Sequence, residues 1–460
     1  MLAISGHEPA LIPRKWHKAT VSSFLSLPHP SGRCSYSSFS ARCSFSTSAP
    51  KRPLRYAVLG AGFAGLSVAW HLLQHASEEI HLCVDIYDEA GVGGGASGVA
   101  GGLLHPYSPK AKLLWRGAEC WKESLNLLNI AQDAILKKVN TAERETAQTC
   151  ETQIVRRKGI LRPAVSLKSV DTMTENAQNC LADCIIESID EEAAQNLIPN
   201  LTVPLNLAFH MPEALNINAQ CYLQGLYLAC QSSANDLSAF GFKHRELCIH
   251  KKSVQSLKEL PGQGYYDAVI ICLGARAALL PELSGKLPLR TCRGVITHLQ
   301  LGDDIREAYP EDSPSILSDV WLSVHGARCL DLGSTWDWKS RNYSREVTWD
   351  EALEAKKVLL PKAYAVYPSI KYWTVAGAVA GLRAMPPHTA EGSLPLLGCV
   401  DEFMNDIQSH VCKYWLFTGL GARGLLFHGW LGKLMALAVL SRNEDLLPSE
   451  LISWKKKSHK

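Results

Sequence analysis

What the chain lacks narrows its class first. None of its 15 cysteines forms a CxxC pair, so the spacing of zinc ribbons and thioredoxin-like redox centres is missing. Cys180 and Cys184 are an isolated pair of the kind that local packing produces. Fifteen thiols in 460 residues are too sparse for a disulfide scaffold, and an odd, scattered set suits a reducing compartment. No long apolar run is free of charge. Trp415 to Leu440 comes nearest, but it holds Arg423, His428, Lys433 and several glycines, which points to a buried helix rather than a membrane span. Acid is nearly missing from residues 1–53, where Glu8 stands alone. What is present is ordinary: 47% apolar and 20% charged residues, with 33 Gly and 23 Pro. That composition excludes a disordered chain, a collagen or a long coiled coil and suits two or three folded domains.

Residues 1–53 pair their single acid with seven Lys/Arg and twelve serines. Basic, serine-rich and acid-poor composition is that of an organelle transit peptide. The serine density favours a chloroplast over a mitochondrion. A secretory signal is excluded because Gly6, His7, Glu8 and Pro9 break the only early apolar stretch. The segment supplies six net positive charges, so the chain beyond it carries about −3 instead of +3. A mildly acidic protein has no global electrostatic claim on nucleic acid. Arg156-Arg157-Lys158 and the Lys455-Lys456-Lys457 tail read as solvated faces.

From Leu54 the texture changes. Arg55 to Leu59 reads as a buried strand, Gly60-Ala61-Gly62-Phe63-Ala64-Gly65 follows, and Leu66, Ala69, Trp70 and Leu73 recur at helical spacing. A second apolar run, Leu82 to Tyr87, ends in Asp88-Glu89. Strand, G-x-G-x-x-G, helix, strand and acid make the dinucleotide-binding βαβ fingerprint in its required context. Gly60 suits the tight turn, Gly62 the approach of a pyrophosphate and Gly65 close helix packing; the helix N-terminus favours anions. Asp88 or Glu89 suits ribose hydroxyls. A second glycine cluster, Gly93 to Gly98 and on to Gly102-Leu103-Leu104, carries Ala96 and Ser97 and suits an extended cofactor.

These segments resemble the D-amino-acid oxidase superfamily of FAD-dependent amine oxidases, whose members pair the first fingerprint with a G-A-S-G segment. The resemblance runs collinearly from about Leu54 to Leu440. It implies an α/β fold: a Rossmann-like FAD-binding domain with an interleaved α+β substrate domain on a mixed or antiparallel sheet. The expected division is residues 54–150, 212–284 and 381–445 for the FAD-binding domain and 151–211 and 285–380 for the substrate domain. Residues 446–460 read as a C-terminal tail. Lys252 to Leu257 resembles a strand placing Val254 on the adenine, and the strand from Tyr266 ends at Gly274 near the cofactor. Thr418-Gly419-Leu420-Gly421-Ala422-Arg423-Gly424-Leu425 resembles the glycine-rich entry to a helix whose N-terminus faces the flavin pyrimidine. The stretch Ala384 to His388 holds no cysteine, so the FAD is expected to be non-covalent.

In glycine-oxidase-like members an arginine in the position of Arg383 binds the substrate carboxylate, a bidentate, charge-assisted grip. Arg423 is the second candidate cation, at substrate or flavin. His105, Tyr107 and His388 are the candidate bases. The resemblance implies oxidation of a C–N bond in an amine bearing a carboxylate, with hydride passing to flavin N5 and molecular oxygen leaving as hydrogen peroxide. The G-L-G-A-R-G-L form and the segment Ala96 to Pro106 are most similar to the oxidase module of a bacterial bifunctional enzyme. That module acts on the carboxymethylaminomethyl group of a tRNA wobble uridine. Its partner methyltransferase is not expected here. The substrate expectation is therefore a small-molecule amine or a modified tRNA. Free glycine, sarcosine or a D-amino acid stays open, as does a flavin-loaded assembly protein without turnover. No metal is expected.

Overall fold

The computed structural model describes residues 52–141, 153–239, 244–261, 265–404 and 412–457. The transit-peptide reading, as far as Lys51, lies outside them.

Strand β1 (Leu54–Leu59), helix α1 (Phe63–His75) and β2 (Leu82–Tyr87) form the first βαβ unit. Next come β3 (Leu103–Leu104), α2 (Gly117–Thr141), β4 (Val155–Arg156), β5 (Ile160–Pro163) and α3 (Leu167–Gln178). They are followed by β6 (Glu187–Ile189), α4 (Glu191–Leu197), β7 (Ala208–Met211) and β8 (Leu215–Ile217). Helix α5 (Ala219–Ala239) returns the chain to β9 (Arg245–His250) and β10 (Ala268–Ile271). Then β11 (Arg290–Leu301), β12 (Ser315–Leu317), β13 (Trp321–Gly326) and β14 (Cys329–Gly333) precede α6 (Trp349–Val366) and β15 (Trp373–Met385). The chain closes with β16 (His388–Thr389), β17 (Gly392–Ser393), β18 (Leu396–Cys399), β19 (Lys413–Thr418), α7 (Gly424–Ser441) and α8 (Ser449–Ile452).

Two large sheets organise these elements. The first runs β18-β19-β10-β1-β2-β9, parallel throughout except for the edge strand β18. Its central strands read as continuous apolar runs because both faces are covered. Helices α1, α2, α5 and α7 pack against one another. Close approach of α1 and α7 depends on Gly432, where a Cβ would collide with Ser67 Oγ. Helix α7 is long and apolar enough to cross a membrane, yet here it is mostly buried among the other helices. Its His428 is fully enclosed: Nδ1–H donates to the Gly424 and Leu425 carbonyls, and Nε2 accepts from the Tyr222 hydroxyl at 2.7 Å. Burial pushes this imidazole down to about 4, so it is neutral.

The second sheet runs β15-β11-β14-β13-β12-β5-β7-β6 and is antiparallel except where β12 meets β5. Its longest pairing is β11 with β15, and α6 packs on it over a separate apolar core that includes Leu299, Leu322, Leu332 and Leu359.

Three expectations are corrected. The strand placed at Lys252 to Leu257 is instead β9, Arg245–His250. Register with β2 ends at the Tyr87–His250 pair, and the Lys252 N–H then closes a tight turn onto the His250 carbonyl, so Val254 sits in a loop. The boundary at residue 381 falls inside β15, because Gly381 to Met385 remain paired with β11. Of the tail 446–460, the described residues 446–457 are docked through α8: Leu451 and Trp454 are buried, and Trp454 Nε1–H donates to the Leu397 carbonyl.

Asp331 on β14 bonds His298 of β11 at 2.5 Å and His325 of β13 at 2.9 Å. Burial raises this carboxyl, but the two imidazoles outweigh it and hold it at about 2. The bond to Asp331 raises His298 against its own burial. A raised histidine stabilises fully below its unfolded value of about 6.5 and loses that contribution as pH rises through the folded value. The lowered Asp331 contributes above its unfolded value of about 4, and that contribution fades as pH falls towards about 2. Measured from about pH 6 to about pH 8.5, the change in urea midpoint should therefore be less negative for His298→Gln than for the wild type.

Candidate active site

A cavity of about 810 Å³ opens along the carboxyl edge of the parallel sheet, where Gly60, Asp88, Val254, Gly274 and Gly419 follow the ends of β1, β2, β9, β10 and β19. That edge is where open parallel sheets bind ligands. The backbone there is crowded. Gly60 has φ +104°, and a Cβ on it would lie 2.5 Å from the Cys272 carbonyl oxygen. At Gly62 it would lie 2.7 Å from Ser97 Oγ. Gly65 does not line the cavity; a Cβ there would strike the Gly60 oxygen, so its part is to seat α1 on the turn.

The acids after β2 divide. Asp88 accepts from the Ala61 N–H at 2.8 Å and the Ala90 N–H at 3.0 Å, while burial pushes its carboxyl up against these bonds. Glu89 pairs with Arg276 at 2.6 Å. Ser97 Oγ accepts from the Phe63 N–H at 3.1 Å, tying the second glycine cluster to the start of α1. Phe63, Ala64, Ala96, Gly102 and Leu103 continue the wall on this side. Gly421, Ala422, Arg423, Gly424 and Leu425 form it at the start of α7. Neither α1 nor α7 has an acid in its first turn, so both N-termini keep their positive partial charge. These residues fit FAD: the strip is glycine-lined, has helix N-termini for anionic groups and keeps an acid beside the first turn.

Arg383 on β15 reaches the same cavity. Its guanidinium donates to the Thr335 carbonyl at 2.8 Å and to Ser334 Oγ at 3.3 Å, and it lies 4.0 Å from the centre of the Trp336 ring. Weaker contacts reach the Cys292 carbonyl and thiol, the latter kept protonated by burial. Gly294 makes room for the side chain, since a Cβ there would lie 2.5 Å from Arg383 Nη2. All these partners are neutral. Burial lowers the guanidinium pKa, and among the described residues no carboxylate pairs with it. Arg293 on β11 shows the contrast: it is buried, holds Glu351 at 2.6 and 3.2 Å and donates to three backbone carbonyls. Arg293 is a structural arginine. Arg383 is a cation left facing a cavity.

Arg423 is a second such cation. Burial lowers it to about 10, with the charge of Arg162 adding to the effect, so it remains protonated at neutral pH. His105 lies beside it and is held well below the ordinary histidine range by burial, then by Arg423 and Arg162. Its two ring nitrogens both face donors, the Tyr107 N–H at 3.3 Å and Arg423 Nη1 at 3.5 Å, so the single lone pair of the neutral ring is engaged in either tautomer. The other two candidate bases are elsewhere. Tyr107 is buried with its hydroxyl on the Cys184 carbonyl, and His388 is exposed on a short hairpin; neither lines the cavity.

Sequence reasoning passed over Asp319, Trp321, Trp336 and Arg345, which line the cavity from the second sheet and its loops. They lie in segments without motif; the repeated tryptophans at 336 and 338 were the one visible signal. His81, Cys83 and Glu246 bring metal-ligand atoms within 4.8 Å of one another on and beside adjacent strands outside the cavity, where hydrogen bonds join them.

Residues 55–438 match the model of the FAD dependent oxidoreductase family (DAO), and the chain belongs to that family. It is an FAD-dependent oxidoreductase of the class that acts on amine C–N bonds. The uncharacterized oxidoreductase YurR of Bacillus subtilis (strain 168) is 23% identical over 397 residues, 85% of this chain and 96% of the relative. Among solved structures, iminodiacetate oxidase from Chelativorans sp. BNC1 is similar at TM-score 0.60 and 20% identity, over 86% of this chain and 98% of that one. Glycine oxidase from Geobacillus kaustophilus gives 0.61 and 17%, over 87% and 98%. At these identities the structures share the fold.

Gly62→Val should displace Ser97 and with it the bond that joins the two glycine segments. Titrated with FAD, the variant is expected to bind at least about tenfold more weakly than the wild type, a loss of at least about 1.4 kcal/mol, while keeping wild-type far-UV circular dichroism.

Proposed function

We propose that the protein oxidises the C–N bond of an N-substituted glycine, with Arg383 holding the carboxylate. The observation that carries this reading is a guanidinium lining the cavity with neutral partners only. Such a cation lowers the free energy of a bound carboxylate through charge-assisted bonds and fixes the α-carbon relative to the cavity wall. The substrate amine must be neutral for its lone pair to assist removal of hydride from carbon; the imine formed is then hydrolysed by water. The chemistry that FAD supplies when bound is acceptance of the two electrons and their passage to oxygen, which leaves as hydrogen peroxide. The positive N-terminus of α7 and Arg423 favour negative charge in this part of the cavity. Between two donors and two cations, His105 is poorly placed to take a proton from the amine.

Within this class, the carboxymethylaminomethyl group of a tRNA wobble uridine is the finer substrate we propose, supported by the G-L-G-A-R-G-L and Ala96 to Pro106 motifs. A second reading, oxidation of free small amino acids, is favoured by the shared fold with glycine oxidase and iminodiacetate oxidase. The acid-poor residues 1–53 support an organellar, chloroplast-favoured site of action; fused to a fluorescent reporter, they should carry it into the organelle, and a cytosolic reporter would refute this.

Anaerobic addition of substrate should bleach the flavin of the wild-type holoenzyme. Arg383→Ala should keep its flavin and lose roughly 30- to 5,000-fold in kcat/KM, the equivalent of about 2–5 kcal/mol for removing one member of a buried charged pair. Unchanged kinetics would show that the carboxylate is held elsewhere. Mass spectrometry of organellar tRNA from a knockout tests the finer reading through the wobble-uridine profile.

A further inference from the structure

The opposite end of the parallel sheet, away from the cavity, carries its own group of chemistry-bearing side chains. Strands β2 and β9 are in parallel register there, with Leu82 beside Arg245 and Cys83 beside Glu246. One step earlier, the Leu82 N–H donates to the His244 carbonyl at 3.0 Å and the Leu54 N–H to the His81 carbonyl at 2.8 Å, so both histidines are held at the head of the ladder. Side chains two positions apart on a strand share a face. His81 and Cys83 therefore stand beside His244 and Glu246 as a square, at the edge of the sheet that β9 forms.

Three corners of this square already have the spacing of a metal shell. Cys83 Sγ lies 3.6 Å from His81 Nε2 and 3.3 Å from Glu246 Oε2, and His81 Nε2 lies 2.9 Å from Glu246 Oε1. A tetrahedral Zn²⁺ with bonds of about 2.0–2.3 Å holds its sulfur, nitrogen and oxygen ligands about 3.3–3.6 Å apart. Only small side-chain shifts separate the two arrangements. The fourth corner, His244, is exposed, with its ring centre 5.2 Å from that of His81. Cys83 is buried at the base, whereas the His81 and Glu246 side chains are 32% and 54% exposed, which leaves an entry path from solvent. The next step along the same face is already engaged: Asp85 holds His250 and the Tyr266 hydroxyl, each at 3.0 Å. Arg55, beside Cys83 on β1, is drawn to Tyr265, 4.8 Å from its ring centre and with Nη1–H on its hydroxyl at 3.0 Å. A thiol, imidazoles and a carboxylate are a zinc donor set, while magnesium and calcium take oxygen ligands.

We propose that His81, Cys83, His244 and Glu246 bind one Zn²⁺, which fastens the edge strand β9 to β2. The Cys83 S–H now donates to Glu246. On binding, that S–H bond is replaced by a bond from sulfur to zinc and the proton leaves to water. Thiolate and carboxylate together balance the charge of the ion. None of the four residues lines the cavity, so the site is structural and does not depend on the role of Arg383. No CxxC spacing announces it because the ligands alternate along strands, and Cys83 and Glu246 are 163 residues apart.

The test uses untagged, FAD-loaded protein stripped of metal with a chelator. It is titrated with Zn²⁺ against a chromogenic chelator, and with Co²⁺, whose tetrahedral ligand-field bands fall at longer wavelength than flavin absorption. One equivalent of Zn²⁺ should bind with a Kd of about 1 µM or tighter and raise Tm. Glu246→Gln, at an exposed position, and Cys83→Ser should each weaken binding at least about tenfold and abolish the rise in Tm, with flavin absorbance unchanged. His244→Gln should do the same. Cys248→Ser, two residues along β9, should alter the affinity by less than about twofold. Failure to bind one equivalent, or undiminished affinity in Glu246→Gln and Cys83→Ser, would overturn the proposal. So would a loss confined to Cys248→Ser, which places the ion elsewhere. Undiminished affinity in His244→Gln alone would overturn the closed, four-ligand form of the site.

Discussion

The contact on which the site depends is backbone against backbone at the carboxyl edge of the parallel sheet. Gly60 turns against the Cys272 carbonyl, and the Gly60 oxygen lies where a Cβ of residue 65 would be. A side chain at either position would push α1 away from β1 and β10. Because α1 is locked there, its first turn faces the cavity and the Asp88 carboxylate can reach the Ala61 N–H. Ser97 carries the constraint outward, fastening the second glycine segment to Phe63. Position along this strip is thus set by steric exclusion, with hydrogen bonds adding direction.

The second sheet supplies the opposite wall, and electrostatics gives it meaning. Arg293 and Arg383 belong to neighbouring strands, β11 and β15. One is buried against a bidentate carboxylate, the other surrounded by neutral acceptors beside the cavity. A buried cation without an acid is costly unless a ligand compensates it. Arg423 repeats the pattern at another part of the wall, where burial, then its charge and that of Arg162, keep His105 neutral. The cavity is therefore organised to receive negative charge.

Much of the cofactor side was legible in the sequence because its constraints are local. G-x-G-x-x-G between a strand and a helix leaves one geometry open, and the apolar runs of β1, β2 and β10 mark strands covered on both faces. Lys252 to Leu257 misled because the strand before it, Arg245–His250, carries polar residues on alternate positions along an edge. The C-terminal residues looked like a tail because they follow the last motif and run into Lys455-Lys456-Lys457, although Leu447, Leu451 and Trp454 are buried.

What the sequence determined by itself was the class of cofactor site and the residues on its glycine strip, because turns, close backbone approach and helix starts each demand particular residues within a few positions. Only the tertiary structure decided which arginine is satisfied and which is not, which acid serves the turn, and that Trp336 stands beside Arg383. Those facts depend on strands far apart in the chain being brought into register, and no local spacing encodes the distance between side chains on different strands and loops.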